Sequence, residues 1–355
     1  MPVRVPVLAQ HLGGGPVEGV DPEPSLQLRQ LVVRGQLTLA AVRAAVELGI
    51  ADRIGGDTRA SDDLAQELGA DRLSLYRLLR ALTVPLIVEE LPGRRFRLLP
   101  MGQSLRTDRP GSVAPFVRLI LGPYRARALE MLDQGVLSGR VPAEMAHGVP
   151  FFDYLAGHPE EAAIFNAAMT SGSAVLARQT LAAYDLSSVR TLADVGGGHG
   201  MFLASILSAR PDLHGILYDL PQVVQDAPAV LRSKGVADRC EVIAGNFFER
   251  VPPGADVYLL RQILHDWNDE RAIQILRNVR RAVPANGRVV VVDSLVPEGT
   301  SPDVEKLYDL SMLVVLGGRE RTESEMAGIY RQADFRLSRV VRMPDAWALF
   351  EGIPT

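Results

Sequence analysis

The sequence predicts an α/β protein, with a parallel sheet covered by helices in its C-terminal half and a mostly α-helical region containing a winged helix ahead of it. Three observations support this. From about residue 189, short β-rich runs alternate with helical ones, the pattern of a parallel sheet buried on both faces. The first of these runs leads straight into Gly196-Gly197-Gly198-His199-Gly200 and then a helix, the layout of a ligand-binding strand-to-helix turn. Residues 61 to 99 read as two short helices followed by a hairpin. At 355 residues the chain exceeds one typical domain.

Residues 1–24, with Gly13-Gly14-Gly15-Pro16 and a Pro22/Pro24 pair, read as a mobile tail. A helix is expected from Ser25, where Leu31, Val32, Leu37, Leu39, Val42, Val46 and Ile50 recur near helical spacing. Ser61 is placed to cap a short helix that Gly69 ends, and Asp71 to cap a second one bearing Leu75, Leu78, Leu79 and Leu82. Pro92-Gly93 is the turn of the hairpin. Helical segments fill 112–183, interrupted at Pro142 and Pro150. Strands are expected over Thr191–Val195, Gly215–Tyr218, Cys240–Ala244, Asp256–Leu260 and Arg288–Val292, with two more possible over Phe335–Val341 and Trp347–Phe350. The domains read as a tail (1–24), a winged-helix domain (25–110), a helical linker region (111–188) and a ligand-binding α/β domain (189–355).

Composition narrows the function. Hydrophobic residues make up 47% and charged residues 23%, the balance of a folded globular protein. No apolar run reaches the roughly 18 residues needed to span a bilayer, and the N-terminus lacks a signal-peptide layout. Cys240 is the only cysteine, which rules out a disulfide framework and fits a reducing cytoplasm. A net charge of −4 argues against nucleic acid as the main partner. No paired-histidine metal spacing, Gly-Lys-Ser/Thr loop or Gly-x-Ser-x-Gly elbow occurs, so a P-loop is excluded, metal and covalent mechanisms fit poorly and no metal is expected.

In an open parallel sheet, ligands bind beyond the carboxyl ends of the strands. Four adjacent strand ends carry suitable groups. Gly196 and Gly198 lie in the first turn, which otherwise serves only as a tight connection. Asp219 ends the second strand, where a carboxylate accepts from both hydroxyls of a ribose or else caps the following helix. Asn246 and Phe247 follow the third strand; an amide pairs with an adenine edge and a ring covers its face, although phenylalanines here also suit the core. Arg261, at the end of the fourth strand, is placed to hold a carboxylate. His265 follows it in Leu264-His265-Asp266-Trp267, where a base would face the crevice. A lone histidine is usually incidental, and the other five are read so. His265 differs because Asp293, ending the fifth strand, is placed to hold its ring in one tautomer.

These residues resemble the O-methyltransferase family that includes the caffeic acid and flavonoid enzymes of plants, hydroxyindole O-methyltransferase and bacterial antibiotic-tailoring methyltransferases. The resemblance runs from about Leu28 to the C-terminus. It is most specific in Asp194 to Gly200, Tyr218-Asp219-Leu220-Pro221, Gly245 to Glu249, Leu264-His265-Asp266-Trp267 and Gly317-Gly318-Arg319-Glu320-Arg321-Thr322. It implies a Rossmann-like class I methyltransferase domain behind a winged-helix dimerisation domain, with S-adenosylmethionine as cofactor. By resemblance, Gly196 and Gly198 lie against the methionine part of the cofactor, Asp219 holds the ribose, Asn246 and Phe247 meet the adenine, and Arg261 and Ser173 face the cofactor. By the same resemblance His265 is the general base, flanked by Asp293 and Glu320, and Met169 helps wall in the acceptor. Phe151, Phe152, Phe165, Met312 and Leu316 suggest an apolar acceptor pocket, although such a stripe is more often plain core, and Asp266 is taken as an acceptor contact. Two departures stand out. Asn246 replaces the family's usual aspartate, and Asp293 stands where glutamate is common.

The expected activity is methylation of a hydroxyl, phenolic by preference, on a small aromatic or polyketide-like metabolite by a cytoplasmic homodimer, with no nucleic-acid or membrane partner. Two rivals remain at this point. A winged-helix regulator would use Arg72, Arg77, Arg80, Arg94, Arg95 and Arg97, although a solvated charged face is the commoner meaning of such residues. A methyltransferase-like enzyme with diverged chemistry is the other.

Overall fold

The structure is a computed structural model that describes residues 23–355. The expected tail therefore lies almost wholly outside the described residues, as does His11. The chain falls into two compact units, divided between Pro123 and Tyr124.

In the N-terminal unit Pro24 opens a 24-residue helix, Pro24–Glu47, at its first position, where a missing N–H costs nothing. Ala41, Ala45 and Val46 are buried, while Leu28, Leu31, Val32, Leu37 and Leu39 are exposed, so most of the apolar stripe has no partner within this unit. A short helix, Ile50–Ile54, precedes strand β1 (Thr58–Ala60), helices Ser61–Leu68 and Arg72–Ala81, and strands β2 (Val88–Leu91) and β3 (Arg95–Leu98). The three strands form an antiparallel sheet in the order β1-β3-β2, which shares a core with the two helices. Ile50, Ile54, Leu64, Leu79 and Phe96 make that core. Asp71 caps as expected, its carboxylate accepting from the N–H of Ser74 at 2.8 Å. Ser61 does not. It is already the first helical residue, and its hydroxyl is buried without a partner.

The C-terminal unit begins with helices spanning Tyr124 to Ala183 and continues as a seven-stranded sheet. Its strands are β4 (Thr191–Val195), β5 (His214–Asp219), β6 (Cys240–Ala244), β7 (Val257–Arg261), β8 (Arg288–Ser294), β9 (Phe335–Arg342) and β10 (Trp347–Pro354). Their order is β6-β5-β4-β7-β8-β10-β9. The five strands β4–β8 are parallel, as expected. The sheet as a whole is mixed, because β10 runs antiparallel between β8 and β9.

Burial on both faces explains why the strands read as continuous apolar runs. Val289 and Val291 face one core with Ala193, Val195, Tyr258 and Leu260; Val290 and Val292 face the other with Leu192, Leu217 and Leu259. From β4 the chain moves outward to β5 and β6 on one side, and β7 and β8 lie on the other. The switch point, and with it the ligand crevice, therefore falls at the carboxyl ends of β4 and β7.

Candidate active site

The turn after β4 is built for close approach. Gly196 has φ +75°, and a side chain there would meet Ile263 at 2.4 Å and Phe247 at 3.5 Å. Beneath the turn, Asp219 accepts from the N–H of Gly198 at 2.8 Å with one carboxylate oxygen and from the N–H of Leu220 at 2.7 Å with the other. Each oxygen keeps a free lone pair, so Asp219 braces the glycine turn and still has acceptors to offer. Burial raises its pKa, opposed by these two amides.

Asp194, at the end of β4, is fully buried, and neither of its oxygens has a hydrogen-bond partner. Burial pushes it up to about 7, against the pull of Arg261. Arg261 itself lies over the ring of Phe202 at 5.1 Å, and its Nη1 donates to Gln262. It forms no ion pair among the described residues. Its charge is set between Asp194 and Asp293, and burial lowers its pKa against both. A half-buried cation near two buried carboxylates is costly unless a polar ligand completes the set.

Asn246 is used within its own turn, its Oδ1 accepting from the N–H of Phe248 at 2.9 Å and its Nδ2 facing Glu249 at 3.4 Å. Phe247 packs against Phe248 at 4.9 Å, beside the Gly196 turn. Phe248 packs edge-on to Trp267 at 4.7 Å and belongs to the core margin.

His265 sits in a 3-10 turn, Leu264–Asp266, beyond β7 and is buried. Its Nδ1 is 2.8 Å from Oε1 of Glu320, and its Nε2 is 3.4 Å from Oδ1 of Asp266. Burial disfavours a charge on the ring, but the carboxylates of Glu320, Asp293 and Asp266 outweigh it and push the pKa up to about 10. Asp293 does not hold the ring as expected. It lies within β8 rather than past its end, and neither of its oxygens makes a hydrogen bond to the ring. Burial raises it to about 6, and Asp266 to about 7.

The turn is held by residues 318–321. Arg319 N–H donates to the carbonyl of His265 at 2.9 Å. Arg321, almost fully buried, donates to the carbonyls of Leu264 at 2.9 Å and Trp267 at 2.8 Å and pairs with Asp269. A side chain on Gly318 would lie 2.1 Å from the carbonyl oxygen of His265, so only glycine fits there. Asp309, on helix Glu305–Val315, accepts from the N–H of Glu320 at 2.9 Å and fixes the other side of this loop.

An aromatic wall completes the surroundings. Phe165 packs edge-on to Phe151 at 5.3 Å and to Phe152 at 6.2 Å, and Phe152 stacks on Trp267 at 6.0 Å. Phe165 packs at the margin of an apolar cluster that includes Tyr124, Phe151, Val314 and Val315. Met169 and Met312 are half-buried. Ser173 is buried, and its hydroxyl donates to the carbonyl of Met169 at 2.7 Å, so only its lone pairs are free.

Residues 129–336 match the family model of the O-methyltransferase domain. The chain belongs to the O-methyltransferase family. It is 38% identical to O-demethylpuromycin-O-methyltransferase of Streptomyces alboniger, over 96% of this chain and 94% of that one. It is 36% identical to the phenazine O-methyltransferase PhzM of Lysobacter antibioticus, over 95% and 98%. Among solved structures, CalO1, a methyltransferase in calicheamicin biosynthesis in its SAH-bound form, superposes with a TM-score of 0.84 at 34% identity, covering 95% of this chain and all of that one.

As a member of this family the protein is an S-adenosylmethionine-dependent O-methyltransferase with a Rossmann-like catalytic core behind a helical N-terminal region. The crevice suits such a cofactor. Gly196 leaves room for it, Asp219 has acceptors for a diol, and the set Asp194–Arg261–Asp293 has unused polar capacity. Sequence reasoning did not assign Asp194, Arg321 or Trp267. All three stood inside the motifs of the resemblance, but their burial and partners depend on how distant segments meet. No helix among the described residues is long and apolar enough to cross a membrane.

Proposed function

We propose that this O-methyltransferase methylates a phenolic hydroxyl of a small aromatic metabolite, with His265 as general base. The observation that carries the reading is the ring's fixed orientation: Nδ1 is taken by Glu320, which leaves Nε2 as the nitrogen that can accept a proton. S-adenosylmethionine supplies a methyl made electrophilic by its sulfonium. The chain's own work is to align the acceptor oxygen and take its proton. Alignment contributes several kcal/mol through near-attack positioning, and a general base roughly 10²–10⁴-fold. A phenol has a pKa of about 10, and the carboxylates around His265 make it a stronger base than a free imidazole, which narrows the gap across which the proton must move.

Glu320 orients the ring and stabilises the imidazolium, in the way that a triad carboxylate does. Asp293 acts on it through charge, and through the backbone N–H of His265. Gly196, Gly198, Asp219, Asn246, Phe247, Arg261 and Ser173 are assigned to the cofactor, and Phe165, Met169, Asp266 and Met312 to the acceptor. The winged-helix region 25–110 is assigned to dimerisation, because the exposed face of helix Pro24–Glu47 suits a second copy, and 111–188 to the acceptor wall. The deciding experiment is methyl transfer from labelled S-adenosylmethionine to a panel of phenols, catechols and hydroxyquinones. A protein that binds the cofactor and methylates no phenol, while methylating an amine or an aliphatic alcohol, would refute the phenolic assignment.

A further inference from the structure

Arg125 is a cation without a counter-charge. It is half-buried on helix Pro123–Glu130, its Nη2 donates to the hydroxyl of Ser311, and it forms no ion pair among the described residues. Arg321 and Arg319 of the same unit have acids, Asp269 and Glu325, while Arg239 spends its donors on the carbonyls of Leu207, Arg210 and Leu213; Arg125 has one hydroxyl. Burial alone lowers the pKa of Arg125, with no carboxylate opposing it. A partly desolvated guanidinium that keeps open donors is poised for an anion it does not yet have.

The surroundings say which anion. The next residue back, Tyr124, is buried with its ring tilted against Phe151 at 5.3 Å, and Phe151 meets Phe165 at the same separation. Ser311 lies on the helix that also carries Met312, Val314 and Val315, the last two packed with Tyr124 and Phe151. That same helix, through Asp309, holds the Glu320 that holds His265. Arg125 thus follows a residue packed on the aromatic wall assigned to the acceptor, and is hydrogen-bonded to the helix whose Asp309 holds Glu320. Ser311 accepts from Arg125 and keeps its own proton to donate. A guanidinium and a hydroxyl side by side match a planar carboxylate, the group for which arginine's fork is best suited.

We infer that the acceptor is an aromatic hydroxy acid, its carboxylate held by Arg125 and Ser311 while its hydroxyl meets His265. This rests on the methyltransferase reading above and names the substrate class for the same site. The test compares binding of hydroxybenzoates and hydroxynaphthoates with binding of their carboxamides by calorimetry, in the presence of S-adenosylhomocysteine, to the wild type and to Arg125→Gln. At least one acid should bind the wild type about ten-fold or more tightly than its amide, the scale of a charge-assisted bidentate pair. In Arg125→Gln that preference should vanish while the amide binds as before. Arg125→Lys should keep part of it, since charge remains and the fork is lost.

Binding of S-adenosylhomocysteine itself serves as the control. A wild type that fails to bind it loses the methyltransferase reading, and this inference falls with it. A wild type that binds it but shows no acid preference, or a preference that survives in Arg125→Gln, overturns the carboxylate assignment alone.

Discussion

Nδ1 of His265 lies 2.8 Å from Oε1 of Glu320, across 55 residues of sequence. The contact fixes which ring nitrogen faces outward and sets how tightly the ring holds a proton. Three carboxylates around one imidazole make a base that is strong and, in the free protein near neutral pH, mostly charged.

The first prediction concerns this base. A base works unprotonated, so kcat/KM should rise with pH along an acidic limb that approaches a pKa of about 10 in the free protein. His265→Ala should lower kcat by roughly 10²–10⁴-fold while cofactor affinity barely changes. Glu320→Gln removes a charge that raises the ring's pKa, so the limb should move to lower pH while the plateau falls. A limb that does not move would separate Glu320 from the base.

Proton release offers a second readout. S-adenosylmethionine is cationic at sulfur and S-adenosylhomocysteine is not, and a cation in the crevice opposes a proton on His265. Binding of the first at pH 8 should release protons, measured by calorimetry in buffers of different ionisation enthalpy. Binding of the second should release fewer, and His265→Ala should abolish the difference. Equal release by both ligands would place His265 beyond the cofactor's field.

Asp219 is predicted to hold the cofactor and its turn together. Asp219→Ala should weaken S-adenosylmethionine by about 1.5–3 kcal/mol, since a charged acceptor is lost and the N–H of Gly198 is left without its partner. Asp219→Asn, which keeps one oxygen, should cost less. Asn246→Asp preserves the acceptor for the N–H of Phe248 and should leave affinity unchanged or improved. Calorimetry that finds Asp219→Ala at wild-type affinity would remove it from the site.

Asp194 should limit stability. Its folded pKa of about 7 exceeds the ordinary value, so between pH 4 and 7 the folded protein binds more protons than the unfolded one. Its cost to stability therefore grows as pH rises through that window and is complete above it. Asp194→Asn should raise the Tm of the ligand-free protein at pH 8, and by less at pH 5. A Tm gain equal at both pH values would mean that the charge is not what costs stability.

Assembly is testable on the exposed face of the first helix. The protein should scatter light as a dimer at micromolar concentration, and Leu31→Glu with Leu37→Glu should yield monomers. A monomeric wild type would reject the dimer.

Much of the catalytic sheet was legible because a strand buried on both faces has an unmistakable composition. Arg288 to Val292 could hardly be anything else, and β4 and β6 end at the residues the sequence suggested. The crevice was legible for a similar reason, since strand ends tell where polar groups converge. What the sequence concealed were the partnerships made at a distance. Asp293 stands near His265 along the sheet, but the ring is held by Glu320, brought in by a loop that no local periodicity announces. Ser61 has the chemistry of a cap, but strand β1 runs directly into its helix and leaves it one position too late. Asn246 shows the reverse case, a residue assigned to a ligand whose amide is already engaged in its own turn.

The close approach of Gly318 to the His265 carbonyl has a consequence for how the protein tolerates change. The turn that carries His265 is held through its backbone, with Arg319 N–H and Gly318 against it and the Arg321 side chain gripping its carbonyls. Such a mount does not depend on the side chains of the acceptor wall. Substitutions at Phe165 or Met169, which make none of these contacts, should therefore leave the His265 turn in place while altering the wall proposed for the acceptor.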